Sequence, residues 1–105
     1  MSKFLRNAAR AIDIGCGSGY FTLAMAKLMP VDSKIYGLDH ISKICEFAKK
    51  NIRKSHADYL ETNKIEIVCG DGRKGWDKGA PYDVIYVGGG ILAKFFRIRL
   101  TFAIY

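Results

Sequence analysis

The stretch Ala11-Ile12-Asp13-Ile14-Gly15-Cys16-Gly17-Ser18-Gly19-Tyr20 limits the fold of this chain more than any other. Ala11 to Ile14 is a short apolar run of the kind that ends a buried strand. Three glycines at alternate positions follow, and they permit a tight turn with bare backbone N–H groups that a ligand can approach. Tyr20 then opens an apolar run at helical spacing. A glycine turn between a strand and a helix N-terminus is where open α/β sheets hold nucleotide-like ligands. The same cluster also serves as a purely structural turn, so its neighbours decide the reading.

The neighbours extend the pattern. Strand one covers Ala11 to Ile14. A first helix is expected over Tyr20 to Met29, with Tyr20, Phe21, Ala24, Met25 and Leu28 as its apolar stripe and Pro30 as its stop. Lys34 to Asp39 reads as strand two, ending on a carboxylate. In the second helix Ile41, Ile44, Cys45, Ala48 and Ile52 share one face, while Lys43, Glu46, Lys49, Lys50 and Arg53 take the other. Ser55 to Lys64 is polar, a turn or a frayed extension of that helix. Ile65 to Cys69 reads as strand three, Arg73 to Pro81 as a loop or short helix carrying Trp76, and Tyr82 to Val87 as strand four. Strands alternating with helices indicate a parallel, doubly wound α/β sheet. Right-handed crossovers place its strands in the order 3-2-1-4. The glycine turn, Asp39 and Asp71 then converge at the carboxyl ends of strands one, two and three.

These positions suit a nucleoside. A carboxylate at Asp39, 20 residues after Gly19, can accept hydrogen bonds from both ribose hydroxyls and repels a 2′-phosphate; its structural alternative is a cap on the second helix. Asp71, within Gly70-Asp71-Gly72, can accept from the exocyclic amine of adenine while Gly72 leaves room for the ring. Its alternative is an acid in a glycine-rich turn. Asp13 is a strand-interior acid that needs partners, either N–H groups of the turn or a ligand ammonium. His40 is placed either to contact an adenosine or to cap the surface. A thiol at the helix N-terminus, as at Cys16, can have a depressed pKa; we read Cys16 as a small filler in the turn.

Composition narrows the class. The chain has 105 residues, 50% hydrophobic and 26% charged, which suits one globular domain over 1–105. No apolar run approaches the roughly 20 residues of a membrane helix, and no signal-peptide core follows Met1. Three cysteines without a C-x-x-C pair suggest neither a disulfide framework nor a metal site, and fit reduced thiols in a cytoplasmic protein. The net charge is +7, but the densest basic run, Lys49 to Lys54, falls on the polar face of a helix, so nucleic acid is not the expected partner.

The glycine spacing is G-x-G-x-G rather than the G-x-G-x-x-G of dinucleotide folds, which argues against a nicotinamide-dependent oxidoreductase. It resembles motif I of the Rossmann-like methyltransferases that use S-adenosylmethionine. Asp13 to Tyr20, Gly37-Leu38-Asp39-His40-Ile41, Gly70-Asp71-Gly72-Arg73 and Ala80-Pro81-Tyr82-Asp83-Val84-Ile85 occur in order. Together they resemble the protein-L-isoaspartate (D-aspartate) O-methyltransferase family over about Ala11 to Gly88. The resemblance implies a Rossmann-like methyltransferase sheet, S-adenosylmethionine as cofactor, and methyl transfer to the carboxylate of isoaspartyl residues in damaged proteins. It implies that Gly15, Gly17 and Gly19 flank the methionine part of the cofactor, that Asp39 holds the ribose with His40 beside it, and that Asp71 and Gly72 meet the adenine. With Asp13, Cys16 and Tyr20 these complete the candidate cofactor-binding set. No catalytic residue is assigned.

The match has two edges. The family carries a segment before motif I that covers the substrate, and Met1 to Arg10 is shorter than that segment. After Gly88-Gly89-Gly90 the sequence departs from the family. Ile91, Leu92, Phe95 and Phe96 allow one or two helical turns, and Ile98 to Ile104 alternates at strand period, so the expectations for the tail are a fifth strand beside strand four, reached by a short crossover, or equally a tail from a truncated or alternatively spliced transcript. A partial domain is expected, with a sheet short enough to bury only a modest core and so of low stability alone; a monomer is expected as well. The alternative to an active enzyme is a module that binds S-adenosylmethionine without turnover.

Overall fold

The structure, a computed structural model, describes residues 8–71, 82–87 and 90–98, the last strand through its backbone. Strands β1 (Arg10–Ile14), β2 (Lys34–Asp39), β3 (Ile65–Cys69), β4 (Tyr82–Val87) and β5 (Gly90–Ile98) form one sheet in the order β3-β2-β1-β4-β5. The first four are parallel, with Ile12 opposite Tyr36 on one side and Ile85 on the other. Helices α1 (Tyr20–Leu28) and α2 (Ser42–Glu61) form the two crossovers. Because both crossovers step the same way along the sheet, both helices cover the same face. The four parallel strands thus take the expected doubly wound order 3-2-1-4.

Strand alternation sorts the core onto two faces. Ala11, Ile35, Ile65, Ile67, Val84 and Tyr86 pack with Met25, Ala26, Cys45, Ala48 and Ile52 of the helices. Ile12, Ile14, Tyr36, Leu38, Tyr82 and Ile85 form a second buried cluster on the opposite face. There the rings of Tyr36 and Tyr82 meet edge to face at 6.1 Å. Both faces of the parallel strands are therefore apolar, as buried parallel sheets require.

Three local readings change or are settled between their alternatives. On α1 the buried residues are Thr22, Leu23, Met25 and Ala26, whereas Tyr20, Ala24 and Leu28 are exposed. The apolar stripe exists, but its centre lies one position later, because Met25 with Thr22 and Ala26 faces the sheet. Helix α2 runs through the polar segment to Glu61, interrupted at His56 (φ −140°, ψ 53°) and followed by Asn63 in the left-handed region (φ 61°), which asparagine tolerates.

The third change concerns β5, which is the fifth strand beside β4, but antiparallel and over Gly90–Ile98. No helical turn occupies 91–96. Only two residues separate β4 from β5, and a connection that short closes a hairpin and cannot make a parallel crossover. The register shifts between Tyr82 and Val84 and again between Ile85 and Tyr86. Extra residues on β5 break its period of two, so its apolar residues mimic helical spacing. The stretch from Gly72 to Pro81, with Trp76, and the tail from 99 to 105 lie outside the described residues.

Candidate functional site

The glycine turn carries the site. Gly15 (φ 78°), Gly17 (φ 53°) and Gly19 (φ 85°) all have backbone conformations that side chains resist. The N–H groups of Gly15 and Cys16 both donate to the Leu38 carbonyl, at 2.7 and 3.1 Å, which ties the start of the turn to the end of β2. The Gly19 N–H donates to the Cys16 carbonyl at 3.0 Å, and the Gly19 carbonyl accepts the Leu23 N–H at 2.9 Å as α1 begins.

The glycines differ in what surrounds them. A Cβ on Gly15 or Gly17 would meet nothing within 4 Å, so both face open space. A Cβ on Gly19 would lie 3.1 Å from the Ala48 Cβ and 3.2 Å from the Ala48 backbone. The third glycine thus lets α2 pack against the turn, and the first two leave a cradle. Asn51, 5% exposed, fastens the same contact by donating from Nδ2 to the Ser18 carbonyl at 2.9 Å.

Asp39 closes the cradle from the end of β2. Its Oδ2 accepts the Gly17 N–H at 3.2 Å and its Oδ1 accepts the Ile41 N–H at 3.3 Å. The N-cap of α2 is Ile41, not Asp39. Each carboxylate oxygen keeps a second lone pair for a further donor. His40 lies 3.7 Å from Asp39 Oδ1 with 74% of its side chain exposed. Asp71 stands just past β3, where Gly70 donates to the Asp39 carbonyl at 2.8 Å. Gly72 lies outside the described residues.

Beneath the turn the surroundings become dry. Asp13 is 2% exposed, and its Oδ2 accepts the Thr22 hydroxyl at 2.7 Å. Burial pushes its pKa up, the Thr22 hydrogen bond opposes that, and the charge of Asp39 adds to it. The same burial, with Asp13, Asp39 and Cys45 nearby, pushes the Cys16 thiol up to about 12, so Cys16 is a buried filler and not a reactive thiol. Tyr86 pairs with Asp13 in the sheet and sets its ring edge-on to Phe21 at 4.9 Å. Its hydroxyl is buried with no hydrogen-bond partner among the described residues.

The structure therefore brings Asp13, Gly15, Cys16, Gly17, Gly19, Asp39 and His40 together, with Tyr20, 63% exposed, opening α1 beside them. Thr22, Asn51 and Tyr86 were not expected there. Asp13 announced the need for a partner, and Asn51 shares the face of Cys45, Ala48 and Ile52; Tyr86 had no sequence signal. A surface groove around Lys34, Tyr59, Asn63 and Lys64 opens at the other end of the strands. Its lysines are engaged, Lys34 with Glu66 at 2.9 Å and Lys64 with the Pro30 carbonyl at 2.8 Å. Among the described residues no three metal-binding side chains come together, and no helix is long and apolar enough to cross a membrane.

Known proteins share this arrangement. The sequence model of the protein-L-isoaspartate (D-aspartate) O-methyltransferase family matches residues 1–93. A Caenorhabditis elegans protein-L-isoaspartate O-methyltransferase is 42% identical over 88 residues, covering 84% of this chain and 39% of its own length. An Arabidopsis thaliana protein-L-isoaspartate O-methyltransferase 2 is 41% identical over 85 residues, covering 80% of this chain and 28% of its own length. A solved Plasmodium falciparum structure is described as a protein-L-isoaspartate O-methyltransferase in complex with S-adenosyl-L-homocysteine. It superposes with a TM-score of 0.74 at 28% identity, over 83% of this chain and 44% of that one. This chain thus spans less than half the length of each of these relatives. The family model covers most of this chain, and the Caenorhabditis elegans and Arabidopsis thaliana relatives are at least 41% identical to it over at least 80% of its length, so the chain belongs to the protein-L-isoaspartate (D-aspartate) O-methyltransferase family.

Proposed function

We propose that this chain forms the S-adenosylmethionine-binding part of a protein repair enzyme that methylates the carboxylate of L-isoaspartyl and D-aspartyl residues in damaged proteins. One observation carries the reading: the turn offers Gly15 and Gly17 to open space at positive φ, directly beside Asp39 at the end of β2. That cradle accommodates a nucleoside with an amino-acid tail. Gly15 and Gly17 leave room for the methionine part. Asp39 accepts the ribose hydroxyls on lone pairs that Gly17 and Ile41 do not use. His40 borders the ribose, and Asp71 with Gly72 meets the adenine. The similar Plasmodium falciparum structure, in complex with S-adenosyl-L-homocysteine, supports this assignment.

When bound, the cofactor supplies a methyl group on a cationic sulfur that departs as a neutral thioether. The acceptor is a carboxylate already ionised at neutral pH, so the chain needs no general base. Its residues hold, orient and dry the site. Asp39 and the rigid turn fix the donor's position. The Thr22–Asp13 pair keeps the floor of the turn from moving. The basic surface attracts acidic chains that carry isoaspartyl residues. We place it as a monomer in the cytoplasm, a reducing compartment in which its three cysteines stay free.

Titration calorimetry with S-adenosylhomocysteine tests the binding step. We expect micromolar affinity, reduced at least tenfold in Asp39→Ala while the circular dichroism spectrum stays unchanged. Equal affinity in the variant would remove Asp39 from the site. Methyl transfer to an isoaspartyl peptide then tests turnover, and binding without transfer would identify a module that binds the cofactor only.

A further inference from the structure

Two of the three cysteines meet where α2 leaves the sheet. Cys45, in the first turns of α2, is 3% exposed. Its Sγ donates to the Asp39 carbonyl at 3.4 Å and to the Val68 carbonyl at 3.7 Å, so it sits over the ends of both β2 and β3. Cys69 follows Val68 and pairs with Asp39 in the sheet. Ile65 and Ile67 point to the helix-covered face with Cys45, and Val68 packs on the opposite one. Strand alternation therefore directs Cys69 to the face that holds Cys45. Cys69 itself is exposed.

We propose that Cys45 and Cys69 are an intramolecular redox pair that closes to a disulfide under hydrogen peroxide and pins the start of α2 to the end of β3. Neither residue belongs to the cofactor-binding set, so the pairing stands apart from the methyltransfer reading. The exposed Cys69 is the sulfur that a peroxide reaches. Its thiolate attacks one peroxide oxygen; an S–O bond forms, the O–O bond breaks, and the departing hydroxide takes a proton to become water. The Cys45 sulfur then attacks the Cys69 sulfenic acid. An S–S bond forms as the S–O bond breaks, and the Cys45 proton leaves with the hydroxide as a second water. Two electrons pass from the two sulfurs to the peroxide, with no other reactant.

The environment assigns the roles. Burial raises the Cys45 thiol to about 11, and Cys69 and Asp39 beside it add to the effect. Cys45 is thus a poor first nucleophile and a well-placed resolving thiol. Cys16, buried and raised to about 12, stays out of the reaction.

Treating the native chain with excess hydrogen peroxide, then counting thiols in denaturant and mapping tryptic peptides, tests the pair. The expected count falls from three thiols to one. The expected map shows the peptide 44–49 joined to 65–73, and dithiothreitol restores both. The chain unfolded in urea before oxidation should show no such preference for this pair. Cys69→Ser should keep its two remaining thiols through the same treatment. Retention of three thiols, oxidation of Cys69 alone, a bond to Cys16, or bonds only between chains would each overturn the proposal.

Discussion

The two ends of the sheet are built on different logic. At the β1–β2–β3 end, strands are parallel, long helical crossovers cover one face, and the turn at the strand ends is held by named partners: Leu38, Asp39, Asn51 and Ala48. At the β4–β5 end, a two-residue connection folds the chain back on itself, the pairing is antiparallel, and the register slips twice. The N–H groups of Gly15, Cys16, Gly17 and Gly19, read from the sequence as bare, are all taken by acceptors of the chain itself, so the turn is held in one shape by specific neighbours. An edge hairpin only has to satisfy its ladder, and bulges also blunt the edge against pairing with other chains. Precision is spent where chemistry is expected.

The largest test of that contrast is Gly19→Ala. The added Cβ meets α2 at 3.1 Å in a left-handed conformation, so strain and crowding combine. We expect a loss of about 2–4 kcal/mol by urea denaturation. Gly17→Ala shares the strain but meets nothing within 4 Å, and should cost about 1–2 kcal/mol. Equal losses would show that crowding against Ala48 does not matter and that the turn is less tightly held than its geometry says.

A second test probes the dry floor. The Asp13 carboxyl has a raised pKa in the fold, chiefly through burial. Between its ordinary value of 3.8 and the raised value, the folded state holds more of the proton than the unfolded state does. Its contribution to stability is therefore largest below 3.8 and falls as pH rises through that window. Asp13→Asn should remove this fall, seen as a difference between the two stability-versus-pH curves. Thr22→Val deletes the donor to a buried carboxylate and should cost about 1–3 kcal/mol at neutral pH. If the curves of the parent and Asp13→Asn run parallel across acid pH, burial is not what governs this group.

How much of this could be read beforehand follows the same contrast. The limits of β2, β3 and β4 were legible because each is a short apolar run stopped by proline, glycine or aspartate. The glycine turn and Asp39 were legible because their spacing is tied to backbone geometry. The centre of the α1 stripe was not, since Tyr20, Ala24 and Leu28 also repeat at helical spacing while facing solvent. Thr22 and Asn51 were missed because a polar residue on a buried face has no periodic signature; only its partner, Asp13 or the Ser18 carbonyl, explains it. In β5 the bulges erase the alternation on which strand recognition rests. Local rules carry a pattern as far as it repeats, and the long-range pairings decide the rest.

Asp83 links the two ends and offers the smallest and most discriminating test. It lies in β4, and its Oδ2 accepts the backbone N–H groups of Ala9 at 2.8 Å and Arg10 at 3.1 Å. These bonds anchor the entry to β1, and thereby the strand that carries the glycine turn, to the strand that carries the hairpin. The Ala9 bond is exposed and the Arg10 bond half-buried, so water replaces part of what is lost. Asp83→Ala should cost about 1–2 kcal/mol. Hydrogen exchange then separates the two regions. If Asp83 acts through β1, protection should fall at Arg10 and Ala11 and hold within the β4–β5 ladder, with cofactor affinity weakened less than by Asp39→Ala. If protection falls first along β5, Asp83 organises the hairpin, and the contrast between a specifically held end and a loosely specified one does not hold.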